Sequence, residues 1–96
     1  MERLLHSGRR VRARFLDVKR LETPLGHPRV AIVVPKFGHT AVKRNKLKRR
    51  LRELTRQHVL PLAYSGDVLL RARRDAYDAD FSRLREEITR VAEQLG

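Results

Sequence analysis

Cysteine is absent from this 96-residue sequence, which excludes disulfides, thiolate zinc sites and cysteine nucleophiles. Tryptophan is also absent and aromatics make up only 5%, so the core must be built from aliphatic side chains. No stretch approaches the roughly 20 apolar residues that a bilayer crossing needs. Residues 1–8 are too few and too polar for a secretory signal. The expectation is one domain over 1–96, cytoplasmic, with a modest core.

Acidic residues are scarce in one region only. Residues 1–56 carry 17 Lys/Arg against 4 Asp/Glu, a net of +13, whereas residues 57–96 carry 6 against 7, a net of −1. All the excess positive charge therefore lies in the first part of the chain. A solubility device would be spread more evenly. Clustered Lys and Arg suit a polyanion, whose condensed counterions they release. Nucleic acid leads, with an anionic membrane behind it.

Residues 11–21 alternate imperfectly and predict a strand with one wet face. Two prolines and a glycine between Thr23 and Pro28 predict a turn. Val30 to Val34 is a continuous, mostly β-branched run, the pattern of a strand buried on both faces. These two strands are expected to form an antiparallel hairpin. From about Thr40 to Val59 the period becomes helical, with Leu47, Leu51, Leu54 and His58 in a narrow arc and Pro61 as the stop. Val68 to Ala72 predicts a third strand. Asp78 or Asp80 is a candidate cap for a last helix with Tyr77, Phe81, Leu84, Ile88, Val91 and Leu95 on one face. Its outer face carries mixed charge and reads as solvated. The order β-β-α-β-α predicts an α+β fold, a two-layer sandwich of helices on a small sheet.

The first helix is unusual in its charge. Eight basic residues and one acid, Glu53, lie between Lys43 and Arg56. Like charges at i, i+4, as in Arg44/Lys48, Lys48/Arg52 and Arg52/Arg56, destabilise an isolated helix by about 0.2–0.5 kcal/mol per pair. A helix kept only for its fold would intersperse glutamates. DNA-reading helices come with a zipper or a helix-turn-helix scaffold, and strands flank this one on both sides. A membrane-surface helix exposes large hydrophobes, whereas this leucine stripe is needed by the core. RNA remains the best target, since its phosphates and shape are read without a major-groove helix.

The stretch Pro35-Lys-Phe-Gly-His-Thr-Ala-Val-Lys-Arg-Asn-Lys-Leu-Lys-Arg-Arg-Leu-Arg-Glu53 resembles the signature of the bacterial ribonuclease P protein family. That pattern runs from a buried strand through Lys, a short loop and Ala-Val into an Arg-Asn-Arg-x-Lys-Arg-x-x-Arg-Glu helix. Ala41-Val42, Arg44-Asn45, Lys48-Arg49 and Arg52-Glu53 match in register, and Lys46 stands where the pattern has Arg. A looser resemblance covers Gly8, Arg29-Val30, Gly66-Asp67-Val68 and the last helix.

The resemblance implies a left-handed β-α-β crossover, in a mostly antiparallel sheet of the kind found in the second domain of ribosomal protein S5. It implies a protein subunit whose partner, the RNase P RNA, is the catalyst and removes the 5′ leader of precursor tRNA by phosphodiester hydrolysis. Magnesium, held mainly by that RNA, is the implied cofactor. The implied RNA-binding residues are Lys36, Arg44, Asn45, Lys46, Lys48, Arg49 and Arg52, with no catalytic group in the protein and no protein partner required. The family has a longer arm and helix, with aromatics lining a leader cleft, where only residues 1–7 precede Gly8, so most of that wall is expected to be missing. Val18 aligns with a cleft aromatic, and Phe37 replaces a frequent Lys. Phe37 and Val18 are the expected leader contacts, with Phe37 as a substitute stacking face. The alternative is a ribosomal-type or general RNA-binding protein with no processing role.

The four histidines show no metal spacing. His39 precedes the basic helix and is a candidate phosphate contact or a loop residue. Glu53 is expected to orient arginines, and Asn45 to bond a phosphate or a hydrated magnesium. No Ser/His/Asp set or carboxylate pair is evident.

Overall fold

In the computed structural model, which describes residues 9–11, 13–24 and 26–95, the chain runs β1 (Arg9–Val11), β2 (Leu16–Glu22), β3 (Pro28–Val33), α1 (Ala41–His58), β4 (Gly66–Ala72), a 3-10 turn (Arg74–Tyr77) and α2 (Phe81–Leu95). The expected β-β-α-β-α order is present, with a short strand in front. β4 is buried at every position except Arg71, and it takes an inner place in the sheet order β1-β2-β4-β3. It runs antiparallel to β2, from Gly66 opposite Glu22 to Ala72 opposite Leu16, and parallel to β3. β3, α1 and β4 therefore make the β-α-β unit.

The expected hairpin between β2 and β3 is corrected by this order. The β2–β3 pairing is lost because β4, the most buried strand, lies between them and gains a hydrogen-bonded neighbour on each side. β3 becomes an outer strand, buried only at Pro28 and half-buried or exposed beyond it, rather than a strand covered on both faces. The strand expected over 11–21 is also divided. Val11 ends β1, β2 opens at Leu16, and the two pair antiparallel with Val11 opposite Val18. Glu87, one of the glutamates interspersed on the last helix, is buried and binds the backbone of the segment between them.

Leu16 and Val18 of β2, Val68 and Leu70 of β4, Leu47, Leu51 and Leu54 of α1, and Leu84, Ile88 and Val91 of α2 belong to one buried cluster. Both helices thus cover the same sheet face, giving the two-layer α+β sandwich. The Thr40 hydroxyl caps α1 by accepting the Lys43 N–H at 3.2 Å. The last turn closes with Val59 N–H on the Thr55 carbonyl, two residues before Pro61. Asp80, not Asp78, caps α2 by accepting the Arg83 N–H at 3.0 Å. Tyr77 belongs to the 3-10 turn and not to the helix. Phe81, expected on the apolar face, starts the helix at 38% exposure, one turn short of the core.

Candidate nucleic-acid interface

Helix α1 buries Leu47, Leu51, Leu54 and Thr55, the stripe expected from the leucine spacing. The eight cations take up the remaining circumference. Glu53 does not neutralise them evenly. Its carboxylate pairs with Arg56 and accepts the Gln57 amide at 3.0 Å, and the Arg56 guanidinium holds it below the usual carboxylate range. Among the described residues, Lys48, Arg49 and Arg52 have no ion-pair partner.

Asn45, Lys46, Lys48, Arg49 and Arg52 line one groove of about 580 Å3 together with Val42. Five of the seven expected RNA-binding residues are thus brought together. Val42 was not anticipated, although it lies on the helix wheel away from the leucine stripe. It is 78% exposed, so a bare isopropyl group sits among cations, where it can meet a sugar or base face while the cations meet phosphates.

The remaining two expected residues lie elsewhere. Lys36 is exposed in the turn before the helix. Arg44 is half-buried and turned back to the sheet, its Nε donating to the Val34 carbonyl at 2.8 Å, and its Nη1 reaches the Asn45 Oδ1 at 3.5 Å. One end of this guanidinium therefore fastens the first turn of α1 to the end of β3.

That fastening depends on a tight turn. The His39 N–H donates to the Lys36 carbonyl at 2.8 Å, with Phe37 at φ 49° and Gly38 at φ 85°. Two consecutive positive φ values are those of a type I′ turn. Glycine adopts them freely and phenylalanine does not. The Phe37 ring is half-buried, edge-on to Tyr77 at 6.4 Å, with the Arg74 guanidinium 5.1 Å from its centroid. One face intended for leader stacking is therefore already covered by Arg74.

Val18 is fully buried, which corrects its assignment as a leader contact. Side chains alternate along a strand, and Leu16 and Val18 point into the core. The outward positions on β2 are Asp17, Lys19 and Leu21. Across the sheet they continue with Leu69 and Arg71 of β4 and with Arg29, whose guanidinium forms two hydrogen bonds to Asp67 at 2.8 and 3.2 Å. No group of three or more metal-ligating side chains occurs among the described residues, and no helix among them is long and apolar enough to cross a membrane.

The comparisons with known proteins agree with the motif register. The ribonuclease P family model matches residues 2–96. The ribonuclease P protein component of Thermus aquaticus is 44% identical over 92 residues, covering 96% of this chain and 54% of the relative. That of Brucella suis is 43% identical over 65 residues, covering 67% of this chain and 46% of the relative. The chain spans about half the length of the curated relatives it matches. Among solved structures, a Staphylococcus aureus RNase P protein mutant with defective mRNA degradation activity superposes with TM-score 0.84 at 28% identity, over 97% of this chain and 79% of that one. The RNase P protein of Thermotoga maritima shares the fold, with TM-score 0.84 at 23% identity over 97% and 88% of the two chains. With the motif on the helix, the β-α-β unit around it and a family match over nearly every residue, the chain belongs to the ribonuclease P protein family.

Proposed function

We propose that this chain is a protein subunit of ribonuclease P. It binds the catalytic RNA and the 5′ leader of precursor tRNA, and so promotes the phosphodiester hydrolysis that matures the tRNA 5′ end. The observation that carries this reading is the groove of Asn45, Lys46, Lys48, Arg49 and Arg52, where cations without carboxylate partners stand in the family's register.

The groove holds positive charge in place for phosphates, and its rigidity follows from the leucine stripe beneath it. Val42 adds an apolar contact that a phosphate cannot use and a ribose can. The leader, in this reading, crosses the outer face of the sheet, where Arg71 is exposed and Lys19 half-exposed. The protein contributes no nucleophile, acid or base. Magnesium fits the RNA better than this groove, whose donors are four cationic side chains and one amide, a set that repels a bare divalent ion. The RNA supplies both the metal sites and the reaction, and the protein lowers the magnesium needed by helping to neutralise the assembled backbones.

The test is reconstitution with a bacterial ribonuclease P RNA and a precursor tRNA at limiting magnesium. The chain is expected to raise leader cleavage by the RNA, and to cleave nothing without it. The double variant Arg49→Ala/Arg52→Ala is expected to lose most of that stimulation, with a salt slope of binding shallower by roughly 0.7–0.9 per lost phosphate contact. Equal stimulation by the double variant overturns the residue assignment. Binding to unrelated structured RNAs with equal affinity, with no stimulation, leaves a general RNA-binding protein instead.

A further inference from the structure

The cations of α1 occupy two flanks. At 3.6 residues per turn, Lys43 and Arg50 lie roughly 160° around the axis from the centre of Lys48, Arg49 and Arg52, with Val42 and Lys46 on the crest between. The second flank faces its own hollow, about 190 Å3, bounded by His39, Lys43, Lys46, Arg50, Tyr77 and Asp78.

The wall opposite the helix is held on several sides. The Tyr77 hydroxyl donates to the Pro35 carbonyl at 2.6 Å. The His39 ring lies flat on Tyr77, centroids 4.0 Å apart and planes 12° apart. Phe37 meets Tyr77 edge-on, and Arg74 covers Phe37. The end of β3, the turn and the 3-10 turn are thus joined into one aromatic face.

Around this hollow stand three cations, Lys43, Lys46 and Arg50, and one carboxylate, Asp78, beside the His39 ring. Among the described residues, Lys43, Lys46 and Arg50 have no ion-pair partner, and Asp78 reaches none of them. Cations gathered at a preformed concavity repel one another, and an anion placed among them relieves that repulsion. The volume of about 190 Å3 suits a phosphate group with a few waters, each about 30 Å3 in the liquid. The groove on the other flank is open, three times larger and lined by different side chains, apart from Lys46.

We propose that the His39–Tyr77 pocket holds a backbone phosphodiester of a second RNA segment, so that α1 lies wedged between two RNA backbones. This rests on the RNA-binding reading above, but not on leader processing. Lys43 and Arg50 supply the charge, Lys46 bridges the two flanks, and the stacked His39–Tyr77 pair fixes the distance of the opposite wall.

The experiment measures the salt dependence of binding of the full chain to a bacterial ribonuclease P RNA and to an unrelated structured RNA of similar length. Lys43→Ala/Arg50→Ala is expected to flatten the slope by roughly 0.7–0.9, which is about threefold less affinity lost between 50 and 200 mM salt. The charge-keeping Lys43→Arg/Arg50→Lys is expected to restore it. Combined with Arg49→Ala/Arg52→Ala, the reductions are expected to add, because separate phosphates are lost. An unchanged slope in the well-folded Lys43→Ala/Arg50→Ala variant overturns the pocket. So does disappearance of its effect in the Arg49→Ala/Arg52→Ala background, which would mean one shared backbone. A pocket-dependent slope on either RNA supports the proposal even if leader cleavage is not stimulated, so the two readings fail separately.

Discussion

The carboxylate of Glu87, in the middle of α2, accepts the backbone N–H of Phe15 at 2.9 Å and that of Arg14 at 2.5 Å. A buried acid on the last helix thus completes the hydrogen bonds of the segment that leads into β2. Without it two N–H groups in a partly or fully buried place would be left unpaired, which is costly away from water. Glu87→Ala is expected to destabilise the domain by about 2–3 kcal/mol, read from urea unfolding. Glu87→Gln keeps one carbonyl acceptor and is expected to lose less. Equal stability of all three proteins would show that water satisfies these groups.

Glu87 also marks where local pattern stopped being informative. Glu87 stands three residues after Leu84 and four before Val91, at the edge of the apolar face, so the helical period places it inward, but nothing local tells which backbone groups it meets there. Strand partners are similarly non-local. Val30 to Val34 reads as a covered strand by composition, yet its place is set by β4, which arrives only after α1 and takes the inner position between β2 and β3. By contrast, α1 was legible to within a residue, because a leucine stripe, the Thr40 hydroxyl and Pro61 all act within the element itself. The cations at 48, 49 and 52 were legible for the same reason. The second flank was not, since His39 and Tyr77 meet only through the fold, and Arg44 reads as a free cation until the end of β3 is placed beside it.

Gly66 opens β4 where it crosses β2. A Cβ at this position would stand 2.4 Å from the Leu21 carbonyl oxygen and 2.9 Å from the Glu22 Cα, and φ is 153°. The clash is with backbone, so no side chain can move to relieve it. Gly66→Ala is expected to cost about 1–3 kcal/mol and to open the β2–β4 ladder at this end. Faster amide exchange at the Gly66 end of β2 than at the Leu16 end would be the local signature. Uniform exchange would place the strain elsewhere.

Asp80 provides a pH dependence. The backbone N–H of Arg83, and after it the Ser82 hydroxyl, hold its carboxyl below the ordinary value of 3.8. A depressed folded value means the carboxylate stabilises the fold fully above the unfolded value, and the contribution is lost as pH falls through the folded one. Asp80→Ala is therefore expected to melt at a lower temperature than wild type at neutral pH. The gap is expected to narrow once the pH drops below about 4. Thermal melts of both proteins across that range check it, and a gap independent of pH would assign the effect to helix propensity alone.

Arg44 distinguishes a positioning residue from a contact residue within one motif. Its Nε is committed to the Val34 carbonyl at 2.8 Å, whereas Arg49 is exposed on the groove. Lysine at 44 keeps the charge but has no Nε donor to share the geometry. Arg44→Lys is expected to lower stability by about 1 kcal/mol, and to weaken RNA binding with little change in its salt slope, because the helix start shifts while the phosphate contacts remain. Arg49→Ala is expected to leave the melt within about 0.5 kcal/mol of wild type and to flatten the salt slope by roughly 0.7–0.9. Melting and salt-titrated binding on the two single variants separate the roles. A flattened slope with an unchanged melt in Arg44→Lys would make Arg44 a phosphate contact after all.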